Sequence, residues 1–235
     1  MKSLLVNFAC ILSFFGISAC STRAPLPAGP GRAELSGRIR AKPELAVLFV
    51  GNSYSFGVPK AFSKLAAEQG EKVRVGHATY GGWTLQKHAG NEATLRKIRG
   101  GRWDVVVIQE QSEIPALPAR KRAAAMFPPL RELVREARQH GAEPVLYQTW
   151  GRRDGDPKVK NDDFHAMNSR LRAGYLAAAR DSGDLLVVPV GDAWEREISA
   201  GRGGGLFMDD GSHPTSLGNE LTAETFFAAF FRECR

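Results

Sequence analysis

The sequence predicts an α/β domain, a five-stranded parallel sheet with helices on both faces. Two observations predict it. Short β-rich runs alternate with helical stretches along the chain. Most of those runs are continuously apolar, the pattern of strands buried on both sides. A length of 235 residues suits one such domain, and 43% apolar with 24% charged residues is an ordinary globular balance.

Each element has its own signal. The first strand spans 45–50 and runs directly into Gly51-Asn52-Ser53-Tyr54-Ser55. A helix follows over 59–69, with Pro59 at its start and Gly70 as its stop. Residues 72–79 alternate as a second strand, and 85–98 form a helix weakened by Gly90. Residues 104–109 hold a Val-Val-Val-Ile run, the strongest strand signal in the chain. Residues 120–140 read as an amphipathic helix closed by Gly141, which Pro128-Pro129 should kink or restart. The fourth strand is 144–149, followed by a helix over 163–181 with Asp162 or Asp163 as its cap. A last strand at 185–190 and a last helix at 217–231 complete the series, and no internal repeat is visible.

The first residues read as a targeting segment rather than structure. Lys2 supplies a positive start, and 4–17 is mostly apolar but short for a membrane span. The run ends in Ile17-Ser18-Ala19-Cys20. Small residues ahead of a cysteine resemble the lipobox of bacterial lipoproteins. That resemblance implies a signal over 1–19, an acylated Cys20, and export to the cell envelope. Ser21 at the next position favours the outer over the inner membrane. An uncleaved anchor, or a secretory signal cut after Ala19, is the alternative. Residues 20–43 hold Pro25, Pro27, Pro30 and Pro43 among glycines, without apolar periodicity. They read as a tether, with the domain proper at 44–235.

Of three cysteines, Cys10 leaves with the signal and Cys20 takes lipid, so Cys234 has no intrachain partner. No cysteine pair has metal-ligand spacing, and no metal or cofactor is expected. The net charge of +7 includes a cluster at Arg96, Lys97, Arg99 and Arg102, and another at 120–122. Such clusters are ordinarily solvated faces; the sharper reading is attraction to anionic envelope glycans or headgroups. No nucleic-acid motif is present, and the protein is expected to act as a monomer.

In open parallel sheets, ligands bind beyond the carboxyl ends of the strands. Four polar turns fall on that edge: Gly51-Asn52-Ser53, Tyr80-Gly81-Gly82-Trp83, Gln109-Glu110-Gln111-Ser112 and Gln148-Thr149-Trp150-Gly151. The segment Asp210-Gly211-Ser212-His213-Pro214, ahead of the last helix, can return to it. Ser53 at the strand-to-helix turn is a candidate nucleophile and His213 a candidate base, with Asp210 orienting the ring. Asp209 is an alternative partner. The backbone N–H groups of Ser53 and Gly82 and the amide of Gln111 are candidate oxyanion donors. Asn52, Trp83 and Trp150 are candidates for substrate contact, since tryptophan at a strand end can stack on a sugar. Each motif also has a plain reading, as a turn, a strand-end polar residue or core packing.

Taken in order, these blocks resemble the SGNH, or GDSL-type, hydrolases. That family carries Gly-Asp-Ser after the first strand, a glycine after the second, Gly-x-Asn-Asp after the third, and Asp-x-x-His near the C-terminus. Gly51-Asn52-Ser53 matches the first block with Asn for Asp. Gly82 matches the second, and Asp210-Gly211-Ser212-His213 the last. Gln109-Glu110-Gln111-Ser112 departs from the third, with Gln111 where the family has its oxyanion asparagine. The resemblance spans residues 45–231. It implies a flavodoxin-like three-layer α/β/α sandwich and metal-free ester hydrolysis by Ser53, His213 and Asp210. With an envelope address, the expected substrate is an O-acyl ester, O-acetyl first, on a glycan or small molecule. The Gln-Glu-Gln block motivates an alternative, an inactive SGNH-like domain that binds envelope glycan.

Overall fold

The computed structural model describes residues 26–232. The expected signal, Cys20 and Cys234 lie outside them. The sheet consists of β1 (Leu45–Gly51), β2 (Val73–Thr79), β3 (Val105–Ile108), β4 (Glu143–Gln148) and β5 (Val187–Pro189). It is five-stranded in the order β2-β1-β3-β4-β5, and every pairing is parallel. The helices are α1 (Arg32–Arg40), α2 (Val58–Glu68), α3 (Leu85–Ala89), α4 (Glu92–Gly100), α5 (Ala119–Gln139), α6 (Phe164–Asp181), α7 (Val190–Ser199) and α8 (Ser216–Phe231). This is the three-layer α/β/α sandwich that the sequence predicts.

Strand alternation divides the core into two layers. Val47, Phe49, Val107 and Tyr147 point to the face covered by α1, α2, α7 and α8. Leu48, Val50, Val106, Ile108 and Leu146 point to the face covered by α3, α4, α5 and α6. Phe49 anchors the first layer, with its ring edge-on to Phe62 at 6.1 Å and to Phe226 at 5.4 Å.

The strand order locates the site. From β1 the chain passes to β2 on one side, then crosses back to β3 on the other. The crevice between the carboxyl ends of β1 and β3 is therefore the point where strand order reverses. Ser53 follows β1 there, and Gln109-Glu110-Gln111 follows β3.

Some boundaries differ from the sequence reading. Residues 85–98 form two helices because Asn91 starts a new one; its Oδ1 accepts the Thr94 N–H at 2.9 Å. Pro128 and Pro129 do not break α5, whose buried stripe of Met126, Pro129, Leu130 and Leu133 runs through them. The last strand is shorter, ending where α7 begins, and α7 was not expected. Asp163 rather than Asp162 caps α6, through the Ala166 N–H at 2.7 Å.

The largest difference lies at the start. Residues 26–43, expected as tether, pack on the domain. Leu35 and Ile39, four residues apart on one face of α1, are buried in the first core layer. Arg32 donates to the Ala228 carbonyl of α8 at 2.7 Å. Upstream, the Gly29 N–H meets the Gly183 carbonyl at 2.7 Å, and Arg138 reaches the Pro27 carbonyl at 2.5 Å. Only these apolar side chains carry the helix inward, too few for a periodic signal. Burying two aliphatic side chains contributes about 3–6 kcal/mol before the entropy of ordering the segment. A chain begun at residue 43 should thus be about 1–3 kcal/mol less stable than one begun at residue 21. Urea denaturation of the two forms reads this directly; equal midpoints would show that α1 adds nothing.

Candidate active site

Ser53 opens a 3-10 turn, Ser53–Ser55, immediately past β1. Asn52 shapes the turn: its Oδ1 accepts the Tyr54 N–H at 3.1 Å, and its own N–H donates to Gln109 Oε1 at 2.9 Å. Ser55 Oγ donates to the same Gln109 oxygen at 3.1 Å. Gly51 makes this close approach possible, since a Cβ there would lie 2.4 Å from Gln109 Oε1. The Gly51 carbonyl accepts from the Tyr80 N–H at 3.1 Å and from His88 Nε2 at 2.9 Å. The serine turn is thus fixed to the ends of both neighbouring strands.

The last loop delivers the imidazole. His213 Nε2 lies 2.9 Å from Ser53 Oγ, and its Nδ1 lies 2.5 Å from Asp210 Oδ2. Asp210 Oδ1 also accepts the backbone N–H groups of Ser212 and His213, each at 2.9 Å. With Nδ1–H committed to Asp210, Nε2 is left to accept the Ser53 hydroxyl proton. Gly211 makes the tight turn between acid and base at φ +64°. Burial alone would raise the Asp210 carboxyl; the bonds from His213 and Ser212 overcome that and hold it at about 2. Of the two aspartates that the sequence offers, Asp210 is therefore the one at the ring. The loop is pinned by the Met208 N–H on the His213 carbonyl at 2.8 Å and the Arg153 N–H on the Gly211 carbonyl at 2.8 Å.

Comparison with solved structures gives the same architecture. A protein from Slackia heliotrinireducens, described as an SGNH hydrolase, is 29% identical over 78% of this chain and 97% of its own, with a TM-score of 0.62. The fold is that of the SGNH hydrolases. A DUF4886 family protein from Bacteroides uniformis superimposes at a TM-score of 0.70 with 20% identity, over 80% of this chain and 83% of its own. An acetyl xylan esterase aligns at 0.57 with 16% identity, over 79% of this chain and 99% of its own. The likeness is to ester hydrolases at the level of the family. No family model matches the sequence, and comparison with curated proteins finds no relative.

Within this SGNH fold, the remaining candidates divide. Gly82 stands at an exposed turn with φ +68°, on the edge that carries Ser53. Trp83 is partly exposed beside it, stacked on Tyr80 at 4.2 Å. Gln111 is partly exposed, but its amide is turned to its own loop. Oε1 accepts the Glu113 N–H at 2.8 Å, and Nε2 is only loosely held, 3.4 Å from Ser112 Oγ.

Two expected substrate contacts are corrected. Trp150 is fully buried, stacked between Tyr54 at 4.8 Å and Trp194 at 3.9 Å, with its N–H on the Ser212 carbonyl. The nearby aromatic rings and that satisfied N–H make it the floor under the His213 loop rather than a stacking surface. Asn52 is 3% exposed. Its Nδ2 donates to the Trp83 carbonyl at 3.2 Å, so its amide joins the serine turn to the Gly82 loop rather than meeting substrate.

Sequence reasoning missed three residues that build the site. Gln109 is the hub of the serine turn. His88 is fully buried, with Nδ1 3.1 Å from Thr94 Oγ1, and burial lowers its pKa to about 4, so the ring is neutral. Glu110 is fully buried at the end of β3. The available signal was a run of polar residues directly continuing a Val-Val-Val-Ile strand, where burial persists past the apolar residues.

Among the described residues, no group of three or more His, Cys, Asp or Glu side chains is placed to hold a metal ion. No helix among them is long and apolar enough to cross a membrane.

Proposed function

We propose that this protein is a serine esterase of the bacterial envelope that removes small O-acyl groups, acetyl first, from a glycan or small molecule. The observation that carries the reading is the continuous relay from Ser53 Oγ through His213 to Asp210, at 2.9 and 2.5 Å. In this mechanism Nε2 takes the Ser53 proton as Oγ attacks the ester carbonyl. Asp210 stabilises the resulting imidazolium, and the imidazolium then protonates the departing alcohol. Water, deprotonated by His213 Nε2, attacks the acyl-enzyme, and the imidazolium returns that proton to Ser53 Oγ as the acid leaves. The Ser53 and Gly82 N–H groups receive the oxyanion. The loosely held Nε2 of Gln111 joins them once it leaves Ser112. Partly exposed Trp83 flanks the acyl or sugar group. The acetyl xylan esterase among the structural neighbours makes a glycan O-acetyl ester the first substrate class to try.

The test is hydrolysis of p-nitrophenyl esters and acetylated glycans by the chain begun at residue 21. Turnover should be greatest with acetate and fall as the acyl chain lengthens. No turnover across the panel, with glycan binding retained, would leave a binding protein instead. The envelope address rests on the sequence of 17–20. It predicts palmitate labelling that disappears in Cys20→Ser; labelling that persists would refute it.

A further inference from the structure

Glu110 is a fully buried acid in the wall of the site that the relay does not use. Its side chain reaches across the crevice floor. Oε1 accepts the Leu85 N–H at 3.0 Å and the Gln111 N–H at 2.7 Å. Leu85 lies three residues past Gly82, so one oxygen joins the loop carrying Gly82 to the loop carrying Gln111. The second oxygen, Oε2, is buried and has no hydrogen-bond partner.

The surroundings decide which protonation state fits. No cation among the described residues is ion-paired with Glu110. The titratable group in contact with it is Tyr175 of α6, whose hydroxyl accepts the Glu110 N–H at 3.3 Å, while α3, which supplies the Leu85 N–H, carries the exposed Lys87 and the buried His88. His88 is neutral and turned to Gly51 and Thr94. An ionised carboxylate would stand in an apolar wall with its charge answered by two N–H groups on one oxygen only. A neutral carboxyl keeps both of those bonds through its carbonyl oxygen and leaves only an unpaired O–H, a far smaller penalty than an unpaired charge. The chemistry adds a second reason. Acyl transfer builds negative charge at the N–H groups of these same loops, and a carboxylate in the wall would oppose it.

We propose that Glu110 is a positioning residue that works as the neutral acid, joining the Gly82 and Gln111 loops without placing a second negative charge beside the oxyanion. The role rests on the esterase reading above. Burial raises its pKa to about 7, against the two N–H bonds that lower it, so the neutral form is lost just above neutrality.

The test compares wild type with Glu110→Gln, which keeps the acceptor oxygen and cannot ionise. In wild type, kcat for p-nitrophenyl acetate should fall about ten-fold from pH 7 to 8.5, with KM little changed. In Glu110→Gln that descending limb should be absent. A merely structural role would shift activity by the same factor at every pH. The same limb in both proteins, or none in wild type, overturns the proposal. A parallel reading needs no substrate. A group with a raised folded pKa loses its contribution as pH rises, so the Tm of wild type should fall relative to Glu110→Gln between about pH 4.5 and 7. Parallel Tm curves would also overturn it. If wild type turns over no ester, and a fluorophosphonate does not label Ser53, the esterase reading fails and takes this role with it. Turnover with an unaltered limb removes only the role of Glu110.

Discussion

Ser53→Ala should lower kcat/KM for p-nitrophenyl acetate by at least about 10^4-fold, and His213→Ala by a similar factor. The two act as one unit, because Nε2 is useful only for the proton on Oγ. The double variant should therefore be no worse than either single one. Neither change should unfold the protein. Ser53 sits in a turn whose shape is set by Asn52 and Gln109, and the His213 loop is held by backbone bonds at Met208 and Arg153. Circular dichroism and Tm should stay near wild type. Additive losses would mean that the serine and histidine work separately, and unaltered turnover in either variant would place the chemistry elsewhere.

The second large effect is expected at Gly51. In Gly51→Ala the new methyl lies 2.4 Å from Gln109 Oε1 and 3.0 Å from both Gln109 Cβ and Ser55 Oγ. Gln109 is buried and cannot swing away without dropping the Asn52 N–H and the Ser55 hydroxyl. We expect a stability loss of about 1–3 kcal/mol from overpacking. The serine turn moves with it, and displacing a nucleophile by about 1 Å costs on the order of a hundredfold in rate. The pair should couple strongly. Gln109→Ala alone leaves the Asn52 N–H unsatisfied and is already costly. Adding Gly51→Ala to it should cost less than Gly51→Ala costs alone, because the contact with Oε1 is gone and only the two at 3.0 Å, with residue 109 Cβ and Ser55 Oγ, remain. A double-mutant cycle measures that coupling, and strict additivity would show that the two residues are independent.

The alternation of strands and helices, and the motif order along one sheet edge, were readable in the chain because burial and turn chemistry write directly into residue type. The meeting of Ser53 with His213 was readable only through motif order, since 160 residues separate them. What escaped was held by single side chains rather than by pattern. Helix α1 buries Leu35 and Ile39 in a segment otherwise typical of a linker. Trp150 reads as a strand-end aromatic, yet its fate is decided by Tyr54 and Trp194, both distant in sequence. Gln109, Glu110 and His88 are polar residues in a wall, and apart from the apolar run that Gln109 and Glu110 continue, residue type does not mark them as buried. Many of their partners are backbone groups, those of Asn52, Gly51, Leu85 and Gln111, which no residue type records.

The place where the chain joins the domain has a bearing on which way Ser53 faces. Pro27 and Gly29 lie against Arg138 and Gly183, residues that precede β4 and β5, so the described chain begins at the strand edge opposite Ser53. From Cys20 to Leu26 the chain can span no more than about 20 Å. A lipid on Cys20 would hold that edge toward the bilayer and turn the serine outward. Acyl chains of the same membrane would then lie behind Ser53, and polymer passing in front of the surface would meet it first.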